Sequence, residues 1–476
     1  MTKPIVVLGA GPAGMTAGWR LAELGYPVVV LERDGAVGGM GKTIAIGPYK
    51  ADFGPHTFHI RATKESEDVI EAIRPFFGPN PVVLSRGTRV LLRGKYYVYP
   101  LELVQVLFGL NPLLSARIIF DYVCATIRSL LAPARRENSF EDWGVRSLGR
   151  TLYDLCFGIY SARVWGLPTS EISSKQAQRV AKLSLKNVIL RTLGIKADPA
   201  TYFTKYMYPV NGISVLYENM ADRMKTCGGQ LRLSSEVVRL EREGDAIAAV
   251  VYRREGREHT IPCEGVIATL PLPALSTMIT PALPATVREH SSKLRYRSMR
   301  FVFMVLTRER LADWHWVYLL DKEFTVNRIS EQKNVSAVMV PGGETLLCVE
   351  ISCWKGDDLW NASDDELFRI AFRDVARTGY GVTESEVMMY FVTGTDTAYP
   401  VYELNFEDHL FPVLEGVHRM ENLLTLGRHG LFLNNSMDDN VLLGIKLGDY
   451  VKIHGVKSRP WVDDMLAFMN LRFQGK

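Results

Sequence analysis

The chain has 476 residues, about three times the roughly 150 residues of an average domain, so more than one structural unit is expected. Apolar residues make up 47% and charged residues 23%, which excludes a disordered tail, a fibre and a small disulfide scaffold. Lys+Arg 56 against Asp+Glu 52 leaves a net charge of +4, too little over this length to point to nucleic acid. The six cysteines form no C-x-x-C pair, so they read as reduced thiols of a cytoplasmic chain, with no zinc site and no disulfide framework.

Taken in chain order, Pro4 to Leu8 reads as a short buried strand, followed at once by Gly9-Ala10-Gly11-Pro12-Ala13-Gly14 and a helix from Met15 to Leu24. Gly25 ends that helix, and Pro27 to Leu31 is a second strand closed by Glu32-Arg33. Strand, G-x-G-x-x-G, helix, strand and acidic residue together form a dinucleotide fingerprint. Gly9 permits the tight turn, Gly11 lets the backbone approach a pyrophosphate, and Gly14 lets helix and strand pack closely. The helix N-terminus offers unpaired N–H groups to phosphate, and Glu32 can accept from a ribose diol. A second glycine turn at Gly38-Gly39 follows the acidic residue, as in flavoproteins that hold FAD tightly.

Leu101 to Leu131 is the most apolar stretch, but Asn111-Pro112, Arg117, Asp121 and Arg128 interrupt it, so no transmembrane helix is expected. A pair of amphipathic helices covering a core or pocket is the first reading. A membrane-surface patch, helped by Arg135 and Arg136, is the less favoured alternative. Further on, Leu231 to Leu240, containing Val237, and Ala246 to Arg253 alternate as paired strands, and Gly265 to Pro271 reads as a buried strand ending in a turn. The strand Leu423 to Leu426 then leads through Gly427-Arg428-His429-Gly430 and Asp438 to a helix expected at Asn440 to Tyr450. Asn440 stands at its expected N-cap, and Val441 follows.

These segments resemble the flavin amine oxidase / protoporphyrinogen oxidase superfamily. More narrowly, Gly54-Pro55-His56-Thr57-Phe58-His59 is similar to a segment of the bacterial UDP-galactopyranose mutases that runs alongside their isoalloxazine. Ser139 to Trp143, Tyr160 to Trp165, and Asn327 to Lys333 follow the same layout over most of the chain. The resemblance implies FAD as cofactor, held by Gly9, Gly11, Pro12, Ala13, Gly14, Glu32, Arg33, Gly38 and Gly39. Pro55, His56, Val237, Gly427, Arg428, Asp438, Asn440 and Val441 are its expected further contacts. Arg179, fourteen residues after Trp165, and Arg328 match the two arginines that bind substrate diphosphate in the mutases. The chain is longer than the mutases and carries Asn434 where they place a tyrosine.

His56 and His59, three apart with no third ligand nearby, are poor for zinc. They fit packing near the flavin or an acid–base role. Arg328 joins them as a candidate catalytic group. Tyr160 and Trp165 fit either core packing or stacking on a base or sugar. Tyr202, Tyr399 and Tyr402 could present hydroxyls to a substrate. Glu331-Gln332-Lys333 and the Arg86/Arg89/Arg93/Lys95 group read as solvated faces or hairpin charges, and Trp314-His315-Trp316 as a hydrophobic cover.

The expected fold is α/β, with a discontinuous Rossmann-like FAD/NAD(P)-binding domain from 1–90, 225–285 and 420–455. A helical insertion at 100–225 and a mixed-sheet substrate domain at 286–420 complete it. Two reactions share this scaffold. In the favoured one, an FAD-dependent oxidoreductase takes hydride from a C–H bond of a small glycosyl- or diphosphate-bearing substrate. The alternative is a mutase isomerising a nucleotide-sugar through reduced flavin with no net redox change. The expected partner is a small molecule, with no nucleic acid.

Overall fold

Two apolar runs rich in β-branched residues, Ile5–Leu8 and Val28–Leu31, form neighbouring parallel strands in the computed structural model, which describes residues 2–61, 63–131, 138–179 and 205–473. Both are wholly buried, as strands covered on two faces must be, and so they read as unbroken apolar runs without alternation. The sheet has five parallel strands in the order Gln230–Arg232, Val28–Leu31, Ile5–Leu8, Gly265–Ala268 and Leu423–Thr425. Segments hundreds of residues apart therefore build one unit, in keeping with the expected discontinuous α/β fold. Helices Ser214–Thr226 and Met437–His454 pack against the helix Pro12–Glu23 that follows the first strand.

The strand expected at Leu231 to Leu240 is in fact two. Gln230–Arg232 ends the parallel sheet, and Glu236–Glu243 opens an antiparallel sheet with Ala246–Arg254 and Arg257–Pro262. The corner is made by Ser234 at φ +49° and fixed by the Ser234 and Ser235 amides, which donate to the carbonyls of Asp34 and Glu32.

A seven-stranded mixed sheet forms the second unit, in the order Val387–Pro400, Tyr296–Leu306, Thr345–Cys353, Arg328–Glu331, Trp316–Leu319, Thr88–Leu92 and Lys95–Val98. Its third strand, Thr345–Cys353, is buried at every position. A small sheet of Phe58–Ile60, Lys205–Tyr208 and Val82–Ser85 sets His59 in register with Tyr206. The helical layer comprises Leu103–Gly109, Pro112–Leu131, Phe140–Leu148 and Ile159–Trp165. Ser139 starts Phe140–Leu148 with a reciprocal cap to Asp142, 3.0 and 3.2 Å. A π-type turn at Asp154–Gly158, the kind of bulge that re-aims side chains near sites, leads directly into Ile159–Trp165, which carries Tyr160 and Trp165. Because Ser214–Thr226 packs on the dinucleotide helix and Thr88–Val98 enters the seven-stranded sheet, the units interleave more finely than the ranges read from sequence.

Candidate functional site

The glycines of the first loop differ in what they face. A methyl at Gly9, where φ is +96°, would lie 2.5 Å from Thr269 Oγ1, and one at Gly14 would lie 2.0 Å from the Gly9 carbonyl oxygen. These two glycines are needed by the fold itself. A methyl at Gly11 would meet nothing within 4 Å, so this position opens onto free space at the start of the helix Pro12–Glu23. The second loop stacks on the first, with Gly39 placed so that a methyl there would be 3.2 Å from Gly11 Cα. Gly38 supplies the left-handed turn at φ +104°. Glu32 is 7% exposed, and its carboxylate accepts from Ala10 N at 2.7 Å and Asp34 N at 3.0 Å, which leaves further lone pairs for a diol. Arg33 extends outward, with Asp34 at 3.8 Å. Val237 is buried two residues after Ser235, whose amide donates to the Glu32 carbonyl, and is in register with Tyr252.

The third segment closes the cradle. A methyl at Gly427 would be 2.8 Å from Ala13 Cβ, and the Arg428 amide donates to Asn440 Oδ1 at 2.9 Å. Asn440 is not the helix cap. The helix starts at Met437, capped by Ser436 with Asp439 in a reciprocal box, because that pair satisfies the free N–H groups one turn earlier. Asn440 instead braces the loop, donating to Asn435 Oδ1 and the Ser436 carbonyl at 3.0 and 2.7 Å. Val441 turns its side chain into the core.

Next to this cradle the turn at Gly54-Pro55, with Gly54 at φ +87°, lies directly on an ion pair: a methyl at Gly54 would be 2.6 Å from Glu350 Oε1. Arg328 donates through Nε and NH2 to both oxygens of Glu350, at 2.6 and 2.7 Å. Burial works against the guanidinium charge there, and Glu350 more than restores it, holding Arg328 firmly protonated. His56 follows the turn, half-buried, and its Nδ1 atom is shielded from solvent with no hydrogen-bond partner among the described residues. Burial first, then the charges of Arg328 and Arg428, push His56 down to about 3, so it is a neutral imidazole. The Arg428 guanidinium stands 4.8 Å from the Tyr399 ring centre and donates to the carbonyls of Ala398 and Asn435 at 3.1 and 2.6 Å.

Aromatic rings wall this charged centre. Arg328 lies over Tyr318 at 5.7 Å, and Tyr318 contacts Tyr160 at 6.0 Å and Tyr99 at 5.2 Å. Trp165 meets Tyr399 edge-on at 6.0 Å. On another side His59 faces Tyr206 at 5.2 Å, and Tyr206 faces Trp316 at 5.6 Å. His59 Nδ1 is 3.4 Å from Asp438 Oδ1, and Arg61 is 2.6 Å from Asp438 Oδ2. Burial alone would raise Asp438, but His59 and Arg61 hold its carboxyl well below the usual range. Asp52, enclosed near the same turn and bonded to Thr43 and Tyr208, is raised by burial to about 7.

The structure thus brings together His56, His59, Arg328, Tyr160, Trp165, Tyr399, Arg428 and Asp438. Tyr202 and the side chain of Arg179 lie outside the described residues. Asn434 approaches this region through Tyr402, whose hydroxyl accepts from its amide at 2.7 Å and donates to the Phe432 carbonyl at 3.2 Å. Tyr402 is 3% exposed and stacked on Phe406, so it braces the loop and does not offer its hydroxyl to a pocket. Glu331, Gln332 and Lys333 are not a solvated face. They are 0%, 2% and 5% exposed, because Glu331 collects the amides of Leu311 and Ala312 and the Thr345 hydroxyl. Glu350 and Tyr318 were not anticipated. The available signal for Glu350 was a lone carboxylate inside the apolar run Leu346-Leu347-Cys348-Val349-Glu350-Ile351.

Residues 12–404 match the family described as flavin containing amine oxidoreductase. A Klebsiella pneumoniae protein named "Probable UDP-galactopyranose mutase" is 25% identical over 37% of this chain and 45% of its own length. A phytoene dehydrogenase of Streptomyces griseus is 26% identical over 60% of this chain and 58% of its own. The matched stretches span about half the length of these curated relatives. A reduced UDP-galactopyranose mutase shares the fold over 95% of this chain and 96% of its own, with a TM-score of 0.81 at 19% identity. The chain belongs to the flavin containing amine oxidoreductase family, and its cofactor is a flavin. The open face at Gly11, the second glycine loop and the anchored Glu32 fit that group.

Proposed function

We propose that this member of the flavin containing amine oxidoreductase family is an FAD-dependent oxidoreductase acting on a small glycosyl- or diphosphate-bearing substrate. The observation that carries it is His56, a half-buried neutral imidazole whose Nδ1 is shielded from solvent, close to the guanidinium charges of Arg328 and Arg428 beside the dinucleotide cradle. When bound, the flavin supplies a hydride acceptor at N5. Gly9, Gly11, Gly14, Glu32, Gly38, Gly39 and the Gly427–Val441 segment would hold the cofactor. Arg428 and the outer edge of Arg328 attract an anionic group, and Tyr160, Trp165 and Tyr399 offer ring faces to a sugar. An anion seated there offsets the two cationic charges, which removes the part of the His56 depression they cause, while the part caused by burial stays, and Nδ1 is placed to take the proton of a substrate hydroxyl. The tyrosine wall excludes water from that transfer.

A second reading, a nucleotide-sugar mutase using reduced flavin, is favoured by the Arg328–Glu350 pair beside the His56 turn and by the likeness to the mutase fold. Mixing oxidised holoenzyme anaerobically with UDP-sugars and other glycosyl diphosphates separates the two. Stoichiometric bleaching of the flavin without added reductant supports the oxidoreductase. Binding and ring isomerisation only after dithionite reduction, with no bleaching by any substrate, refutes it in favour of the mutase.

A further inference from the structure

Helices Leu103–Gly109 and Pro112–Leu131 bury only a narrow side. Leu103, Val106 and Ile118 enter a cluster with Leu148 and Leu152, and Tyr99, Tyr160 and Tyr318 of the pocket wall pack on that cluster. The opposite side is also apolar, yet it faces water. Phe108 is 87% exposed, Leu113 82%, Phe120 67% and Leu131 81%, and Val123, Ile127 and Leu130 extend the same face. At 3.6 residues per turn Leu113, Phe120, Ile127 and Leu131 share one stripe along the longer helix. Single exposed apolar residues are ordinary, but a continuous stripe of this kind marks an interaction surface.

Charge identifies the occupant. Arg117 and Arg128, both exposed and about three turns apart, border the stripe. Beside Phe108 an open groove of about 560 Å³ is lined by Arg89, Lys95 and Gln105. The acid within the long helix, Asp121, is turned inward and accepts from the amide and hydroxyl of Thr151. An apolar stripe with cations at its margin matches a helix lying in the headgroup region of an anionic bilayer. No described helix is long and apolar enough to cross one.

We propose that this face docks the protein on an anionic lipid surface, with Phe108, Leu113, Phe120 and Leu131 entering the headgroup–acyl boundary and Arg117 and Arg128 meeting lipid phosphates. The inner side of the same helices backs the Tyr99–Tyr160–Tyr318 wall, so docking brings the pocket next to the membrane. The test is co-sedimentation of the flavin-loaded full chain with vesicles of phosphatidylcholine plus phosphatidylglycerol, compared with phosphatidylcholine alone. Binding to the anionic vesicles is expected, at least about tenfold weaker on neutral vesicles or in high salt. Replacing Phe108, Leu113, Phe120 and Leu131 by Gln lowers it by about 100-fold or more, with flavin absorbance retained. Arg117→Glu with Arg128→Glu abolishes the preference for anionic lipid. Failure of the wild-type chain to sediment with anionic vesicles overturns the proposal. So does unchanged binding of the Gln variant. If the Gln substitutions instead dissolve a concentration-dependent dimer that ignores vesicles, a second copy covers this face and the lipid assignment is wrong.

Discussion

Replacing Glu350 by Gln keeps the side-chain volume and removes the carboxylate to which Arg328 donates through both Nε and NH2. The pair is desolvated, with Glu350 3% and Arg328 19% exposed at the side chain, so water restores little of what is lost. Two unit charges about 4 Å apart at an effective dielectric of about 20 interact by about 4 kcal/mol. Breaking a buried pair by removing one partner costs about 3–5 kcal/mol in measured cases. One remaining amide hydrogen bond recovers part of this, so Glu350→Gln should lower the unfolding free energy by about 3 kcal/mol. Urea unfolding followed by far-ultraviolet circular dichroism and flavin fluorescence reads the change. The double variant Arg328→Leu with Glu350→Leu should return to within about 1 kcal/mol of wild type, because an apolar pair has no charge to compensate, while substrate turnover is lost. A loss below about 0.5 kcal/mol in Glu350→Gln refutes the reasoning, since Arg328 would then be stabilised by solvent and not by a desolvated partner.

His56 is depressed from the ordinary 6.5 to about 3, so between those values the unfolded chain binds a proton that the folded chain does not. Its contribution to stability is full above 6.5 and is lost as pH falls, at about 1.4 kcal/mol per pH unit. His418 and His429, each lowered to about 4, act in the same sense, whereas Asp52, raised to about 7, loses stability as pH rises. His56→Gln should therefore flatten the pH slope of unfolding in mild acid by about one proton, and superimposable slopes would remove the depressed, neutral imidazole. Gly14→Ala places a methyl 2.0 Å from a carbonyl oxygen and should destabilise the fold by about 2 kcal/mol or more in thermal unfolding. Gly11→Ala meets no protein atom and should leave apo stability within about 1 kcal/mol while weakening flavin binding at least about tenfold, measured by equilibrium dialysis. Tyr402→Phe leaves a buried amide and carbonyl short of a partner and should cost about 1–3 kcal/mol with KM unchanged; a large KM effect contradicts its bracing role.

The cradle was legible because its parts are local. Each glycine of the first loop sits within six residues of the strand and helix it joins, and Glu32 follows directly on the next strand. The His56–His59 turn was legible for the same reason. Asn440 was misread as a cap because two helix-start signals compete within five residues, and the reciprocal pair Ser436–Asp439 starts the helix at Met437. Tyr402 and the Glu331–Lys333 run carry polar groups that sequence places at the surface by default. Their partners, Phe432, Asn434, Leu311 and Thr345, lie outside any short window.

Sequence by itself determined the alternation of buried strand, glycine turn and helix, and with it the dinucleotide unit, because backbone sterics and burial act over a few residues. Tertiary structure alone decided the electrostatics of the site. Arg328 meets Glu350 only because their antiparallel strands bring 328 and 350 into register, and His56 is depressed so far because the turn removes its ring from water, with charges from two distant segments adding to that effect. Charge interactions depend on distance and desolvation, and neither is set until the sheets close on one another.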